Sequence, residues 1–275
     1  MSRGRSLLVA LVVLASGLLA SCGGGTTAVS IQTLRAAVRT TQAVSSERFT
    51  LEETVSSNGK HVTITGSGAV TADGKAVAVA MQIPGAGSIE IRLVDDTFFM
   101  NLDELPGVSG KLPDGKHWVR ITSDEMQKLS GTSLQQLRDQ AQDNSPSRSL
   151  AYLNGLSGDA ENLGDEVVNG QRTTHYRASV DFGKAADDMP NLSDSMRQKL
   201  AKFGTVPVDL WVDDANRLVK MHFHMDGSAF SAPAGTTVDM TMTMTDFDAA
   251  VDVSAPPADD VADYADVVGQ KSTSS

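Results

Sequence analysis

Cysteine is nearly absent: Cys22 is the only one in 275 residues. That excludes a disulfide framework, a CxxC motif and a cysteine metal centre. Stability must come from a buried core, which a chain of this length can build. Aromatic residues are scarce too, with 8 Phe, 3 Tyr and 2 Trp. Sites for carbohydrate or single-stranded nucleic acid rely on stacking platforms, and little material for one is available. Basic residues are outnumbered, 23 Lys and Arg against 34 Asp and Glu. A surface that negative repels nucleic acid phosphates and anionic headgroups, so no nucleic-acid partner is expected. A nucleophile elbow, a Walker loop, an HExxH motif and a dinucleotide fingerprint are all missing. The aspartate pairs at 95/96, 187/188, 213/214 and 259/260 fall in turns, helix ends or the tail. Adjacent carboxylates there do not converge as an acid–base pair must. These residues point to no enzyme and call for no cofactor.

Long apolar runs are missing as well. The strongest, Leu7 to Leu19, covers 13 residues, too short to span a bilayer as a mature helix. It follows Arg3 and Arg5 and ends at Leu19-Ala20-Ser21-Cys22. A basic n-region, an apolar h-region and a small-residue site make a secretory leader. A cysteine directly after the cut, with leucine three residues before it, is what bacterial lipoprotein processing needs. The Cys22 sulfur takes a diacylglyceryl group, and cleavage leaves Cys22 as the new N-terminus. Two or more acyl chains anchor stably where one is marginal. Residues 1–21 are therefore expected to be a cleaved lipoprotein signal peptide, and 22–30, with Gly23-Gly24-Gly25, a flexible tether. The mature protein is expected at the extracytoplasmic face of the cell membrane, lipid-anchored. Loss of the two leader arginines takes the net charge from −11 to −13, so membrane proximity comes from the anchor and not from adsorption.

What is present is alternation. Ile31, Leu34, Val38 and Thr41 recur at helical spacing, which predicts a helix over 31–45. From residue 47 the period becomes two, with Phe49, Leu51 and Val55 on one face. Ser57-Asn58-Gly59 and Asp73-Gly74 are turn signals. Val62, Ile64 and Val70 continue that face, then Val79, Met81 and Ile83, then Ile91 and Leu93, then Phe98, Met100 and Leu102. A strand at 117–121 follows a Gly/Pro-rich loop. The middle reads as helical, from capping boxes at Thr122–Glu125 and Ser133–Gln136 and a short helix at 147–155. Strands resume at 160–169, and Asn169-Gly170 turns into a strand carrying Tyr176 and Val180. A helix capped by Ser193 and stopped by Gly204 precedes the last meander, with Val208 and Leu210, Met221 and Phe223, and Met240, Met242 and Met244 on its apolar side. Ala255-Pro256-Pro257 is expected to end the domain, leaving 256–275 as an acidic, disordered tail with one or two helical turns between 259 and 268. The fold class expected is α+β: a large curled antiparallel sheet, a half-open β-barrel, with helices packed on the concave face of one domain over 31–255.

Two side-chain sets invite chemistry. His222 and His224 are two apart on a strand and point the same way, but no third ligand is in view. The methionines at 221, 225, 240, 242 and 244 could serve as soft ligands, as core filling, or as an adaptable wall for acyl chains. No metal site is assigned to either set.

The layout resembles the LppX/LprG family of actinobacterial lipoproteins, within the wider LolA/LolB-like superfamily. The resemblance rests on the lipobox ending at Cys22, the helix at 31–45, and the stretches GDEVVNGQRTTHYRASVDF (164–182), VPVDLWVDDANRLVKMHF (206–223) and DFDAAVDVSAPPADDV (246–261). Such proteins are half-open barrels capped by helices, whose apolar cavity holds lipid, lipoglycan or acyl chains for transport or retention. The resemblance implies a lipid or lipoglycan ligand, with a membrane transporter or another envelope protein as a further partner. The alternative is an envelope sensor or scaffold of the same fold that binds a protein. Strand alternation alone places Val62, Ile64, Val79, Met81, Ile83, Ile91, Leu93, Tyr176, Val180, Val208, Leu210, Met221, Phe223, Met240, Met242 and Met244 on the candidate lining. Whether that lining encloses a hollow or a filled core stays open at this point.

The anchor makes a direct prediction. A Cys22→Ala chain is expected to move from the membrane to the soluble fraction and to lose metabolic labelling by radioactive palmitate. Retention of both would place the anchor elsewhere.

Overall fold

The computed structural model describes residues 27–95, 97–101, 112–122, 124–125, 150–189, 194–227 and 233–267. The leader, Cys22, Leu102 and the helix expected from Ser133 lie outside the described residues. Helix α1 (Ile31–Gln42) begins where the Ser30 hydroxyl accepts from the Gln32 N–H at 3.3 Å, an N-cap that satisfies one free donor of the first turn. It stops three residues before the expected end, because the Ala43 and Val44 N–H groups close tight turns onto Thr40 and Thr41. The Thr41 hydroxyl donates to Ala37 O at 2.8 Å and accepts from Leu218 N at 2.7 Å. That buried pair fixes the helix to the sheet.

The strands are β1 (Thr27–Val29), β2 (Ser46–Ser57), β3 (Lys60–Thr71), β4 (Ala76–Ile83), β5 (Gly87–Val94), β6 (Thr97–Asn101) and β7 (Trp118–Thr122). They continue with β8 (Leu156–Val168), β9 (Gln171–Asp181), β10 (Thr205–Asp213), β11 (Leu218–Asp226), β12 (Thr237–Thr245) and β13 (Val261–Asp263). All belong to one sheet of order β1-β8-β9-β10-β11-β12-β2-β3-β4-β5-β6-β7-β13. Its edges, β1 and β13, do not pair with each other, so the sheet is open, as the half-barrel expectation requires. Tight hairpins set its register. At Asn58-Gly59 and Asn169-Gly170 both residues have positive φ (50° and 73°, 49° and 80°), the turn whose twist matches the strands it joins.

Register then decides which side chains share a face. Tyr176, Leu210, Met221, Met242, Leu51, Gly66, Met81 and Ile89 are successive cross-strand partners from β9 to β5. A second row runs Met244, Phe49, Gly68, Val79, Ile91, Met100, Val119 and Ala262. Partners directly opposite point to the same side, so one face is apolar across almost the whole sheet. A Cβ on Gly68 would lie 2.5 Å from the Phe49 ring and 2.7 Å from Ala78 O. Glycine there lets the ring lie across β3.

Helix α1, the 3-10 segment Leu150–Gly155 and helices α2 (Phe182–Asp188) and α3 (Asp194–Ala201) cover the β8–β12 half of this face. Leu34 and Val38 pack there with Leu150, Leu153, Leu156, Val208, Leu210 and Met221. The Thr122/Glu125 capping box is present, with Thr122 N–H donating to Glu125 Oε2 at 2.8 Å and Glu125 N–H to Thr122 Oγ1 at 3.4 Å.

Four expectations need correction. Thr27–Val29, read as tether, add β1 to the edge of β8. Phe182, read as the end of a strand, begins α2, because the Asp181 carboxylate caps it by accepting from Lys184 N at 3.1 Å. The sheet is mixed: β13 pairs parallel with β7. That strand lies within the tail expected from 256 onward, where the acidic run hid Val261 and Ala262; Ala262 extends the apolar row. His117 Nδ1 lies 2.6 Å from Asp260 Oδ1, and Arg120 donates to Asp263 at 2.7 Å, securing the segment.

The packing difference between the two halves is measurable. Met221→Ala is expected to cost about 2–5 kcal/mol in denaturant unfolding, because Met221 is fully buried. Val62→Ala, at an exposed position on the same face, is expected to change stability by no more than about 0.5 kcal/mol.

Candidate functional site

The sixteen candidate lining residues sit in three environments. Val180, Val208, Leu210, Met221, Phe223 and Met244 are buried in the main core, with Tyr176, Met240 and Met242 partly buried against it. Leu93 is buried in a second, smaller cluster with Val79 packed on it. Ile64, Met81, Ile83 and Ile91 are half-buried, and Val62 is 45% exposed. So the apolar face is sealed under the helices on one half and partly open on β3–β5.

Between these regions lies a hollow of about 150 Å³ lined by Tyr152, Phe182, Leu200, Phe203, Phe223, Met225 and Met240. Its walls are aromatic or aliphatic throughout. The rings interlock: Tyr152 meets Phe223 edge-on at 5.4 Å, and Phe182 lies 5.3 Å from Phe203. Burial pushes the Tyr152 hydroxyl above its ordinary range, so it stays protonated and donates to Met221 Sδ at 2.9 Å. Helix α3 supplies Leu200 to this wall, with Phe203 just beyond its end. Its Arg197 holds it by donating to Ala186 O and Met189 O near the end of α2.

Of the seven residues around this hollow, the candidate lining held only Phe223 and Met240; it missed Leu200, Phe203 and Met225, and also Tyr152, which lies in a 3-10 turn, and Phe182, just past a strand end. It also missed Glu53, which interrupts the Phe49, Leu51, Val55 alternation and shares their face. The interruption was there to be seen.

The opposite face is polar. Two adjoining hollows of about 530 and 440 Å³ are lined there by Thr50, Ser67, Ala80 and Thr243 in common. They are larger than the apolar hollow and mix hydroxyls, from Thr50, Thr65, Ser67 and Thr243, with apolar groups such as Leu51 and Met81. His222 and His224 also lie on this polar face. His224 Nδ1 is 2.7 Å and His222 Nε2 3.6 Å from Asp239 Oδ1. Among the described residues no group of three or more His, Cys, Asp or Glu could hold a metal ion. The methionines meanwhile pack in the core.

Trp211 is buried on the polar face, stacked on His175 at 4.2 Å with Lys220 over its other side. Its indole N–H donates to Glu166 Oε2 at 2.7 Å. Register shifts in the β8–β9 hairpin between Ser157 and Gly164 accompany this reach of Glu166 across to β10, as bulges re-aim side chains. The Trp211 hydrogen bond, then His175, hold the Glu166 carboxyl below its usual range.

No family model matches the chain. A 31.2 kDa Streptomyces griseus protein from the rplA–rplJ intergenic region is 29% identical over 198 residues, 69% of this chain and 61% of its own. A Streptomyces coelicolor protein named as a candidate lipoprotein is 24% identical over 213 residues, 76% of this chain and 62% of its own. The chain thus spans a little over three-fifths of the relatives it matches. Among solved structures, the Mycobacterium tuberculosis lipoprotein LppX matches at 15% identity and TM-score 0.45, over 82% of this chain and 97% of LppX. LprF from Mycobacterium bovis matches at the same identity and TM-score, over 83% and 97%. No helix among the described residues is long and apolar enough to cross a membrane.

The Glu166 contact has a pH signature. A carboxylate held below its ordinary range adds stability that is present above its unfolded pKa and lost as pH falls through the folded value. The unfolding free energy of wild type minus that of Glu166→Gln is expected to shrink as pH falls below about 4. A difference that stays level or grows below about pH 4 would contradict this.

Proposed function

We propose that the protein is an envelope lipoprotein, anchored through Cys22, that binds the acyl chains of a lipid or lipoglycan for transport or retention. The observation that carries this reading is the apolar face itself. It continues from the sealed core onto β3–β5, where Ile64, Met81, Ile83 and Ile91 are half-buried and Val62 is exposed. An unfilled apolar hollow adjoins it at Met240. A continuous apolar face left half-open over several strands supports an interaction site there. The name of the Streptomyces coelicolor relative and the lipobox agree in supporting a lipoprotein.

Energetics suit a carrier. Each CH₂ removed from water contributes about 0.8 kcal/mol, and a bilayer offers nearly the same. The protein therefore has only to match the membrane, and weakly selective apolar walls suffice for that. Half-buried methionines add adaptability, since an unbranched thioether chain re-packs around variable shapes.

Native mass spectrometry of leaderless Cys22→Ala protein, expressed in a lipid-containing host, tests the reading. Co-purifying acylated molecules that are released on unfolding are expected. A mass equal to the polypeptide alone, together with a defined envelope protein captured by pull-down, would favour the sensor reading instead.

A further inference from the structure

We infer that Glu53 makes the apolar face selective for lipids that carry a hydrogen-bond donor, ammonium or hydroxyl, beside the chain, against those that end in a carboxylate. This rests on the acyl-binding reading above. On β2 the apolar face reads Phe49, Leu51, Glu53, Val55, and pairing with β12 and β3 is regular throughout. Glu53 is the direct partner of Met240 on one side and Ile64 on the other. Met240 is a wall of the apolar hollow, so the carboxylate stands one strand away from it, about 5 Å between Cβ atoms. Its side chain is half-buried. Among the described residues it makes no hydrogen bond or ion pair.

A carboxylate set into apolar surroundings without a partner is unfavourable unless something donates to it. A ligand whose chain enters beside Met240 brings its polar end near Glu53. A hydroxyl or ammonium there donates to the carboxylate, whereas a ligand carboxylate meets a like charge beside apolar neighbours. Glu52, the next residue, faces the polar side and lines the 530 Å³ hollow, which makes it the natural control.

The test is displacement of a fluorescent apolar probe, N-phenyl-1-naphthylamine, from leaderless Cys22→Ala protein by dodecylammonium, dodecanol and dodecanoate at neutral pH in 0.5 M salt, which screens the general negative charge. Dodecylammonium and dodecanol are expected to compete at about tenfold lower concentration than dodecanoate. Glu53→Leu extends the apolar row, so it is expected to fold with an undiminished thermal midpoint and to bind all three alike. Glu52→Leu is expected to keep the tenfold preference. A wild-type preference below twofold, or one that survives in Glu53→Leu, overturns the inference while leaving acyl binding intact. Failure of all three to displace the probe from wild type and variants overturns the acyl-binding reading, and the inference with it.

Discussion

Cross-strand register is the constraint on which the rest of this molecule depends. A slip of one residue moves every side chain of a strand to the other face. From β9 to β5 the pairing keeps Leu210, Met221, Met242, Leu51 and Met81 in one row, so an apolar surface many strands wide exists only while each pairing holds. The tight Asn-Gly hairpins fix that register locally. Thr41 fixes it from above, by accepting the Leu218 N–H into the helix layer. The polar face benefits from the same rule: His175, Trp211 and Lys220 stack only because they are successive partners on β9, β10 and β11.

The sheet is covered unevenly, and the division of labour follows from that. Under α1, α2 and the 3-10 segment the apolar face forms a close-packed interior, which supplies stability that a chain with one cysteine cannot take from disulfides. On β3–β5 the same alternation continues with side chains left half-open. The sealed and half-open regions are thus parts of one surface, separated along the strand order. The C-terminal segment extends it: β13 completes the row at Ala262 and covers β7, becoming the sheet's edge in its place.

Much of this was legible in the sequence, because period-two alternation is a direct image of a sheet with one buried face. Every candidate lining residue lies on a strand, as expected, and the meander and its turns fall where Asn58-Gly59 and Asn169-Gly170 indicated. What was hidden depended on contacts between distant segments. Nothing local marks Val261–Asp263 as a strand, since its pairing partner lies more than a hundred residues earlier. Tyr152 and Phe182 enter the hollow through tertiary placement, not periodicity. Burial was equally illegible: Met221 and Ile91 obey the same alternation, yet only one is sealed. Alternation reports the face and is silent about what covers it.

The apolar hollow, at about 150 Å³, falls below the roughly 300–1,000 Å³ of sites that enclose a drug-sized ligand. Met225 and Met240 are the walls best able to yield, being unbranched. The aromatic walls are fixed: Tyr152 stacks on Phe182 and meets Phe223 edge-on, Phe203 packs 5.3 Å from Phe182, and the Phe182 N–H donates to Gly204 O at 2.9 Å.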